Sequence, residues 1–168
     1  MADILSWQPS ETAAKVSRVL AEGQCVCLPT ESSYEIVAPA LKPRVLPDLP
    51  ANLVFAIAIF GYAELWDWLP RLRGPGLRLF RKFGAGPLVV RADYGFRSGL
   101  WSRLPADTRH RLAVDGHLAI RWPAHPIWSE LRHLGFPLVT VALPEAMTAE
   151  SAAQMAGTNV ACVVGAGP

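Results

Sequence analysis

A buried strand and the polar turn that follows it are encoded by Cys25-Val-Cys-Leu-Pro-Thr-Glu-Ser-Ser-Tyr34. The apolar run from Cys25 to Leu28 is too short for a helix and predicts a strand. Pro29 cannot donate a hydrogen bond to a neighbouring strand, so pairing is expected to end there. Hydroxyls and a carboxylate therefore follow the carboxyl end of a core strand, where open α/β sheets form ligand crevices. The alternative is that this segment is an ordinary polar loop.

The chain has 168 residues, of which 51% are hydrophobic and 18% charged. These values predict one folded domain over residues 1–168, with enough apolar side chains for a core. The longest apolar run, Leu53 to Phe60, is too short to span a bilayer, and the N-terminus lacks an export pattern. A soluble, cytoplasmic protein without membrane contact is expected. The net charge of +2 does not by itself predict a polyanionic partner.

Several kinds of chemistry are disfavoured by the residue spacing. Three cysteines, two of them (Cys25 and Cys27) on one strand face, do not predict a disulfide framework. No His or Cys pair has the spacing of a zinc site, so no structural metal is expected. The four histidines lack a Ser or Cys partner at a recognisable spacing, and neither Gly-x-Ser-x-Gly nor His-Glu-x-x-His occurs. A hydrolase is therefore a poor fit.

Helical and strand patterns alternate along the chain. Helices are predicted from an N-cap at Ser10 to Gly23 and over 62–69, 75–83, 105–114, 127–134 and 148–155, the last capped by Thr148. Strands are predicted at 24–29, 36–37, 52–60, 117–122, 137–143 and 159–164, and residues 84–92 are predicted to form a Gly-Pro turn that leads into a strand. Four prolines between Pro39 and Pro50 predict an extended loop, and no element is assigned to 93–104. This order predicts an α/β fold, a twisted open mixed sheet with helical cover.

Basic residues are concentrated in one segment that contains no acidic residue. Interleaved leucines and phenylalanines give this segment the composition of a phosphate-binding surface, which leaves a nucleic-acid contact open. The alternative is a solvated helix face beside a buried one. The cations are Arg71, Arg73, Arg78, Arg81 and Lys82.

A second group of cations is spread along the sequence. Lys42 and Arg44 lie on the proline-rich loop, and Arg121 lies at the end of a predicted strand. The chain has no glycine-rich phosphate loop, so nucleotide binding would require such side chains to neutralise the phosphates. These three residues are therefore a candidate anion site.

Taken in order, these features resemble the YrdC-type threonylcarbamoyl-AMP synthase family. Pro29-Thr-Glu-Ser-Ser-Tyr34 is similar to the family's Pro-Thr-(Asp/Glu)-Thr-x-Tyr, and Lys42-Pro-Arg44 to its Lys-x-Arg. The most specific match is Ala119-Ile-Arg-Trp-Pro-Ala-His-Pro126, which resembles Val-x-Arg-x-Pro-x-His-Pro. Ala85-Gly-Pro-Leu-Val89 looks like Pro-Gly-Pro-x-Thr, and Pro137-Leu-Val-Thr140 echoes the strand that leads to Ser-x-Asn. The matches run from about residue 10 to the last residue.

The resemblance implies a YrdC-like fold with a large, positively charged concave face. It implies a nucleotidyltransferase that converts L-threonine, bicarbonate and ATP, assisted by magnesium, into threonylcarbamoyl-AMP and pyrophosphate for N6-threonylcarbamoyladenosine in tRNA. Positioning and charge neutralisation would supply most of the catalysis of such a reaction. By resemblance, Thr30, Tyr34 and Arg121 bind substrate, and Lys42, Arg44 and Thr140 bind nucleotide.

The sequence departs from the family pattern at several positions. The glycine after the motif tyrosine is replaced by Glu35, and the threonine of Pro-Gly-Pro-x-Thr by Val89. Only seven residues separate Tyr34 from Lys42, so the family's helix at this point is missing, and the chain stops before the family's final Ser-Thr-Val strand. The Ser-x-Asn positions fall on Ala142 and Pro144, or on Val141 and Leu143 if shifted by one.

Three hypotheses follow for the function. The chain is an active, divergent synthase, or a non-catalytic YrdC-like module that binds RNA (tRNA or double-stranded RNA) or a nucleotide through the retained basic face, or a relative that performs a different carbamoyl or adenylyl transfer. The first two are favoured about equally, because the candidate ligand-binding residues are retained and the Ser-x-Asn side chains are not.

Overall fold

The computed structural model describes residues 2–42, 53–93 and 99–166. Within these residues, nine strands form one mixed sheet in the order β1-β9-β2-β3-β8-β4-β7-β5, with β6 paired to β7. The pairs β1–β9, β2–β9 and β4–β7 are parallel and the other pairs are antiparallel. The predicted mixed sheet with helical cover is confirmed.

The helices and strands have the following bounds. The strands are β1 Asp3–Leu5, β2 Val26–Pro29, β3 Tyr34–Pro39, β4 Phe55–Ala58, β5 Val89–Asp93, β6 Ala113–Val114, β7 His117–Arg121, β8 Leu138–Leu143 and β9 Cys162–Val164. The α-helices are α1 Pro9–Ala21, α2 Leu65–Trp68, α3 Gly74–Phe83, α4 Leu100–Arg103, α5 Ala106–Leu112, α6 Pro126–Glu130 and α7 Ala149–Ala156. Short 3₁₀ turns cover Tyr62–Glu64, Leu131–Leu134 and Gly157–Asn159.

Each face of the sheet is covered by its own apolar cluster. One cluster packs α1 and α6 onto one face, with Val16 and Leu20 from α1 and Trp128 from α6 fully or almost fully buried. The opposite face carries the larger cluster, to which α2, α5 and α7 contribute. Because successive residues of a strand point to opposite faces, Tyr34 belongs to the larger cluster and Glu35 faces the α1 and α6 side.

The structure corrects several predicted boundaries. The first helix begins at Pro9 with Gln8 as its N-cap, so the prediction that Ser10 is the N-cap was wrong. Proline suits the first helical position, and the Thr12 hydroxyl accepts the hydrogen bond of the Gln8 amide at 2.9 Å. The predicted helix at 105–114 ends early, because its last two residues form β6 and pair with β7 through a turn at Asp115 and Gly116, both with positive φ.

Other segments differ in extent or were not assigned. The strand predicted at 52–60 is shorter, Phe55–Ala58, although the Ile59 amide still donates to the Arg121 carbonyl at 2.8 Å, and Asn52 lies outside the described residues. The three residues of β1 were missed, since a strand that short has no readable period. The unassigned segment 93–104 contains α4. The helix predicted from a Thr148 cap is confirmed, since this hydroxyl accepts a hydrogen bond from the Ser151 amide at 3.1 Å.

Candidate functional site

The candidate site is centred on Arg121, the last residue of β7. Its side chain is 7% exposed and lies between two carboxylates. Arg121 Nη2 donates to Glu31 Oε1 at 2.7 Å, and Arg121 Nε forms an ion pair with Glu35 Oε1. The other oxygen of Glu31 accepts the backbone amide of Ala124 at 3.0 Å. A single cation is therefore shared by two acidic residues of the turn and strand that follow β2.

Small side chains on the sheet provide the space for this ion-paired cluster. Arg121 is paired with Ala58 across β7 and β4, and Ala56 lies two residues earlier on the same face. On the adjacent strand β8, Thr140 is opposite Ala56, and Ala142 is opposite Glu35. The Arg121 and Glu35 side chains thus meet across the small side chains of Ala56, Thr140 and Ala142.

Glu35 is a carboxylic acid inside the sheet, with 1% of its surface exposed. Burial raises the pKa of Glu35 to about 7, although the Arg121 guanidinium and a hydrogen bond from Thr140 act to lower it. The nearby carboxylate of Glu31 raises it further. The acid therefore changes its charge near neutral pH, and Arg121 keeps Glu31 as a partner when Glu35 is protonated.

The Thr30 hydroxyl makes its hydrogen bonds within the turn between β2 and β3. Its hydroxyl donates to the Ser33 carbonyl at 2.9 Å and accepts the amides of Ser32 and Ser33 at 3.3 and 3.1 Å. Such bonds are typical of a threonine that holds a tight turn. The turn brings Glu31 to Arg121, so Thr30 supports the cluster from a neighbouring position.

Tyr34 begins β3 and is almost completely buried. Burial raises its pKa, and a hydrogen bond with the Ala166 backbone lowers it. The carbonyl of Ala166 is also 3.0 Å from His125 Nε2. The segment after β9 therefore passes between Tyr34 and His125 at the carboxyl end of β2, where the sequence predicted a ligand crevice.

Lys42 lies apart from the turn. Its ammonium group donates to the carbonyl of Ala21, the last residue of α1, at 2.6 Å. This contact is favourable because a helix C-terminus carries partial negative charge. Lys42 follows the end of β3, whereas Tyr34 stands at the beginning of that strand, so the two are at opposite ends of it. Arg44 lies outside the described residues, and the predicted three-cation site stays a prediction.

The five cations of the predicted RNA surface are all exposed on α3 and the loop before it. None of these five, Arg71, Arg73, Arg78, Arg81 and Lys82, forms an ion pair with a carboxylate in the described part of the chain. Arg81 Nε donates to the Tyr62 hydroxyl at 3.0 Å, and Arg73 lies 5.6 Å above the Trp66 ring. These cations are therefore available to a partner.

Two cavities border α2, at a position the sequence did not indicate. One, of about 210 Å³, is lined by Glu64, Asp67 and Arg132 together with apolar residues that include Phe60 and Trp68. The other, of about 550 Å³, is lined by Trp66, Asp67, Pro70, Gly99, Leu100, Ser102 and Arg103. Among residues 2–42, 53–93 and 99–166, no helix is long and apolar enough to cross a membrane, and no cluster of metal-ligating side chains occurs.

The sheet topology and the helices on both faces define a YrdC-like α/β fold. Solved structures of P. abyssi Sua5, one with the H234A/Y235A substitutions and one complexed with L-threonine, match with TM-scores of 0.79 and 0.77 at 21% identity. The matches cover 99% of this chain and about half of the Sua5 chains, 53% and 50%.

Two further structures are similar. E. coli YciO matches with a TM-score of 0.72 at 17% identity, covering 100% of this chain and 85% of its own. Full-length HypF in a phosphate- and nucleotide-bound form has a TM-score of 0.67 at 18% identity, covering 94% of this chain and 25% of HypF. No protein-family model matches the sequence, and no curated protein matches it either.

The sequence reasoning did not identify the acidic partners of Arg121. The sequence pattern places Glu35 at a glycine position of the resembled family and Glu31 in the turn, but it does not indicate a cation for either. The available signal was a carboxylate within the otherwise apolar run Tyr34-Glu-Ile-Val37, because a buried acid requires a cation or a proton. The role of Arg121 as a ligand for a carboxylate or phosphate stays a prediction.

Proposed function

We propose that this chain is a YrdC-like module that binds RNA through the exposed cations of α3 and does not synthesise threonylcarbamoyl-AMP. The observation that carries the proposal is the pairing of Arg121 with both Glu31 and Glu35. In this YrdC-like fold, the central cation of the candidate site, Arg121, is already neutralised by two acids of the same chain.

Adenylate synthesis requires positively charged groups that can bind the phosphates of ATP. The reaction must stabilise negative charge as pyrophosphate leaves, and preorganised positive groups supply most of that stabilisation. In this chain Arg121 has two acidic partners, the Thr30 hydroxyl is used by its own turn, and Lys42 binds the end of α1. An incoming phosphate would have to compete with Glu31 and Glu35 for the Arg121 guanidinium, and a displaced Glu35 would have to take up a proton because it is buried.

The cations on α3 favour a polyanionic partner. Arg78, Arg81 and Lys82 are exposed within ten residues of helix that contain no acid. The same surface exposes the apolar side chains of Leu79 and Phe83. Basic groups interleaved with aromatic ones are typical of nucleic-acid surfaces, where phosphates bind the cations and bases contact the rings.

Binding of a fluorescently labelled tRNA, measured by anisotropy over a range of salt concentrations, tests this proposal. The Arg78→Ala/Arg81→Ala variant is expected to bind more weakly, and the slope of log affinity against log salt should fall by about 0.9 for each phosphate that its side chains no longer neutralise. A matched control is Lys15→Ala/Arg18→Ala, which removes the same charge from exposed positions on α1. Equal weakening in both variants, or no RNA binding by the wild type, would contradict the proposal.

A second candidate function is an active, divergent threonylcarbamoyl-AMP synthase. It is favoured by the likeness in fold to Sua5 complexed with L-threonine and by the position of Arg121 next to the turn that contains Thr30. Incubation with ATP and magnesium, L-threonine and bicarbonate, followed by measurement of pyrophosphate and adenylate, separates the two functions. Product formation that is abolished in Lys42→Ala would favour the enzyme.

A further inference from the structure

We propose that the cavity beside Trp66 binds an unpaired base of single-stranded RNA while the arginines around it bind the adjoining phosphates. This inference rests on the proposed function and deepens it, because it names unpaired RNA as the ligand. The cavity is the one of about 550 Å³ between α2 and α4.

Two aromatic rings and two arginines form a continuous row that reaches the cavity at Trp66, the member of the row that lines it. Tyr62 and Trp66 are half-buried and in edge-to-face contact, with ring centroids 5.9 Å apart. Arg81 lies 5.8 Å from the Tyr62 ring centre and Arg73 lies 5.6 Å from that of Trp66. The order along the surface is thus Arg81, Tyr62, Trp66, Arg73, with a cation at each end.

Hydrogen bonds hold the arginines in this row. Arg81 Nε donates to the Tyr62 hydroxyl at 3.0 Å. Arg73 Nη1 donates to the carbonyls of Pro70 and Leu72 at 3.2 and 2.9 Å. Guanidinium groups retain further N–H donors after such contacts, so each can still bind a phosphate oxygen. Because the cations are fixed beside the rings, less conformational entropy is lost on binding.

The cavity next to Trp66 has the lining expected for a base. It combines an indole ring and the apolar surface of Pro70 and Leu100 with the exposed polar side chains of Asp67, Ser102 and Arg103. Its volume of about 550 Å³ is within the range of small-ligand sites, roughly 300–1,000 Å³. A base in a duplex is stacked on its neighbours and cannot enter such a cavity, whereas an unpaired base can stack on an aromatic side chain.

The test compares two RNA probes with the full chain. One probe is a labelled single strand of about eight nucleotides, and the other is a blunt duplex of about 16 base pairs. Trp66→Ala is expected to weaken binding of the single strand by about 5- to 100-fold, which is the usual effect of removing one base–aromatic stack. Its effect on the duplex should stay within about twofold, since phosphate contacts dominate there.

Further variants keep the result interpretable. Trp66→Phe retains an aromatic face and should bind the single strand more tightly than Trp66→Ala. Trp7→Ala removes another half-buried tryptophan, which contacts His125 and not α3, and should leave both affinities unchanged. Thermal unfolding of each variant checks that the fold is retained. If Trp66→Ala does not fold, Arg103→Ala tests the α4 side of the same cavity.

The possible failures can be told apart. Two results would contradict the base site but not the proposed RNA-binding surface of α3. In the first, Arg78→Ala/Arg81→Ala weakens binding and neither Trp66→Ala nor Arg103→Ala does. In the second, Trp66→Ala weakens binding of both probes equally. If neither probe binds the wild type, both proposals are wrong. Selective weakening of single-strand binding in Trp66→Ala supports the base site.

Discussion

At the scale of single residues, the main finding is an acid at a position where the resembled family has glycine. Glu35 lies in a strand that is otherwise apolar, and it meets Arg121 across alanine and threonine side chains. Together with Glu31 it converts a residue expected to bind an anionic ligand into part of an internal ion-paired cluster. Sequence identified Arg121 as a site residue, but the partner of a buried arginine depends on which strands lie beside it.

Glu35 makes the stability of the protein depend on pH near neutrality. Its pKa is about 7 in the folded chain and 4.5 in the reference state, so the folded protein binds the proton more tightly. The stabilisation is complete below pH 4.5 and is lost as the pH rises through 7. Relative to Glu35→Gln, the wild type should lose about 2–3 kcal/mol in its free energy of unfolding between about pH 5 and pH 8.

Denaturant unfolding of both proteins across this pH range measures the difference. Because Glu35→Gln has no titrating group at this position, subtracting its curve removes the contributions of the other acids and histidines. A wild type that gains stability relative to Glu35→Gln as the pH rises would show that Arg121 keeps the carboxylate ionised. The elevated pKa inferred for Glu35 would then be wrong.

At the scale of elements, α3 is the helix that presents the cations and depends on a glycine at its end. A Cβ on Gly84 would collide with the Phe80 carbonyl and come within 2.8 Å of the Trp122 ring. The backbone at Gly84 has φ −60°, which any residue can adopt, so the requirement for glycine is one of space. This close approach fixes α3 against the residue that follows β7.

Gly84→Ala should therefore loosen α3 from the sheet. The expected loss in the free energy of unfolding is about 1–3 kcal/mol, the usual range for overpacking at a tight contact. Gly61→Ala is the matched control, because a Cβ there meets no atom within 4 Å and the backbone is extended, at φ −174°. Thermal or denaturant unfolding of the two variants checks the prediction, and equal stabilities would contradict it.

The sequence predicted most elements because their apolar periods and breakers are local. The sequence did not predict the elements whose structure depends on neighbouring strands. Ala113 and Val114 continue a helical pattern but pair with β7, and the first helix starts at Pro9 although Ser10 is the stronger N-cap residue. The sequence predicts a short helix over 62–69 that contains Tyr62 and Trp66, but the row that they form with Arg73 and Arg81 depends on how α3 packs.

At the scale of the whole molecule, the YrdC-like sheet carries two separate charged regions. One is the Arg121 cluster, in which Arg121 and Glu35 are buried and Glu31 reaches the surface, and which contains more acidic than basic groups. The other is the exposed surface of α3, where cations have no acidic partners in the part of the chain that the structure describes. The fold class could be predicted from the order of motifs, but the charge balance of the site could not, since it depends on contacts between residues as distant as Glu31 and Arg121.

Calorimetric titration of ATP with magnesium into the full chain at about pH 8, where Glu35 is ionised, decides whether Arg121 is neutralised within the protein. If Arg121 is fully occupied by Glu31 and Glu35, the wild type should give no saturable heat, which corresponds to a Kd weaker than about 1 mM. A saturable isotherm in the micromolar range that is abolished by Arg121→Gln would contradict this interpretation, because it would show that Arg121 is free to bind the nucleotide.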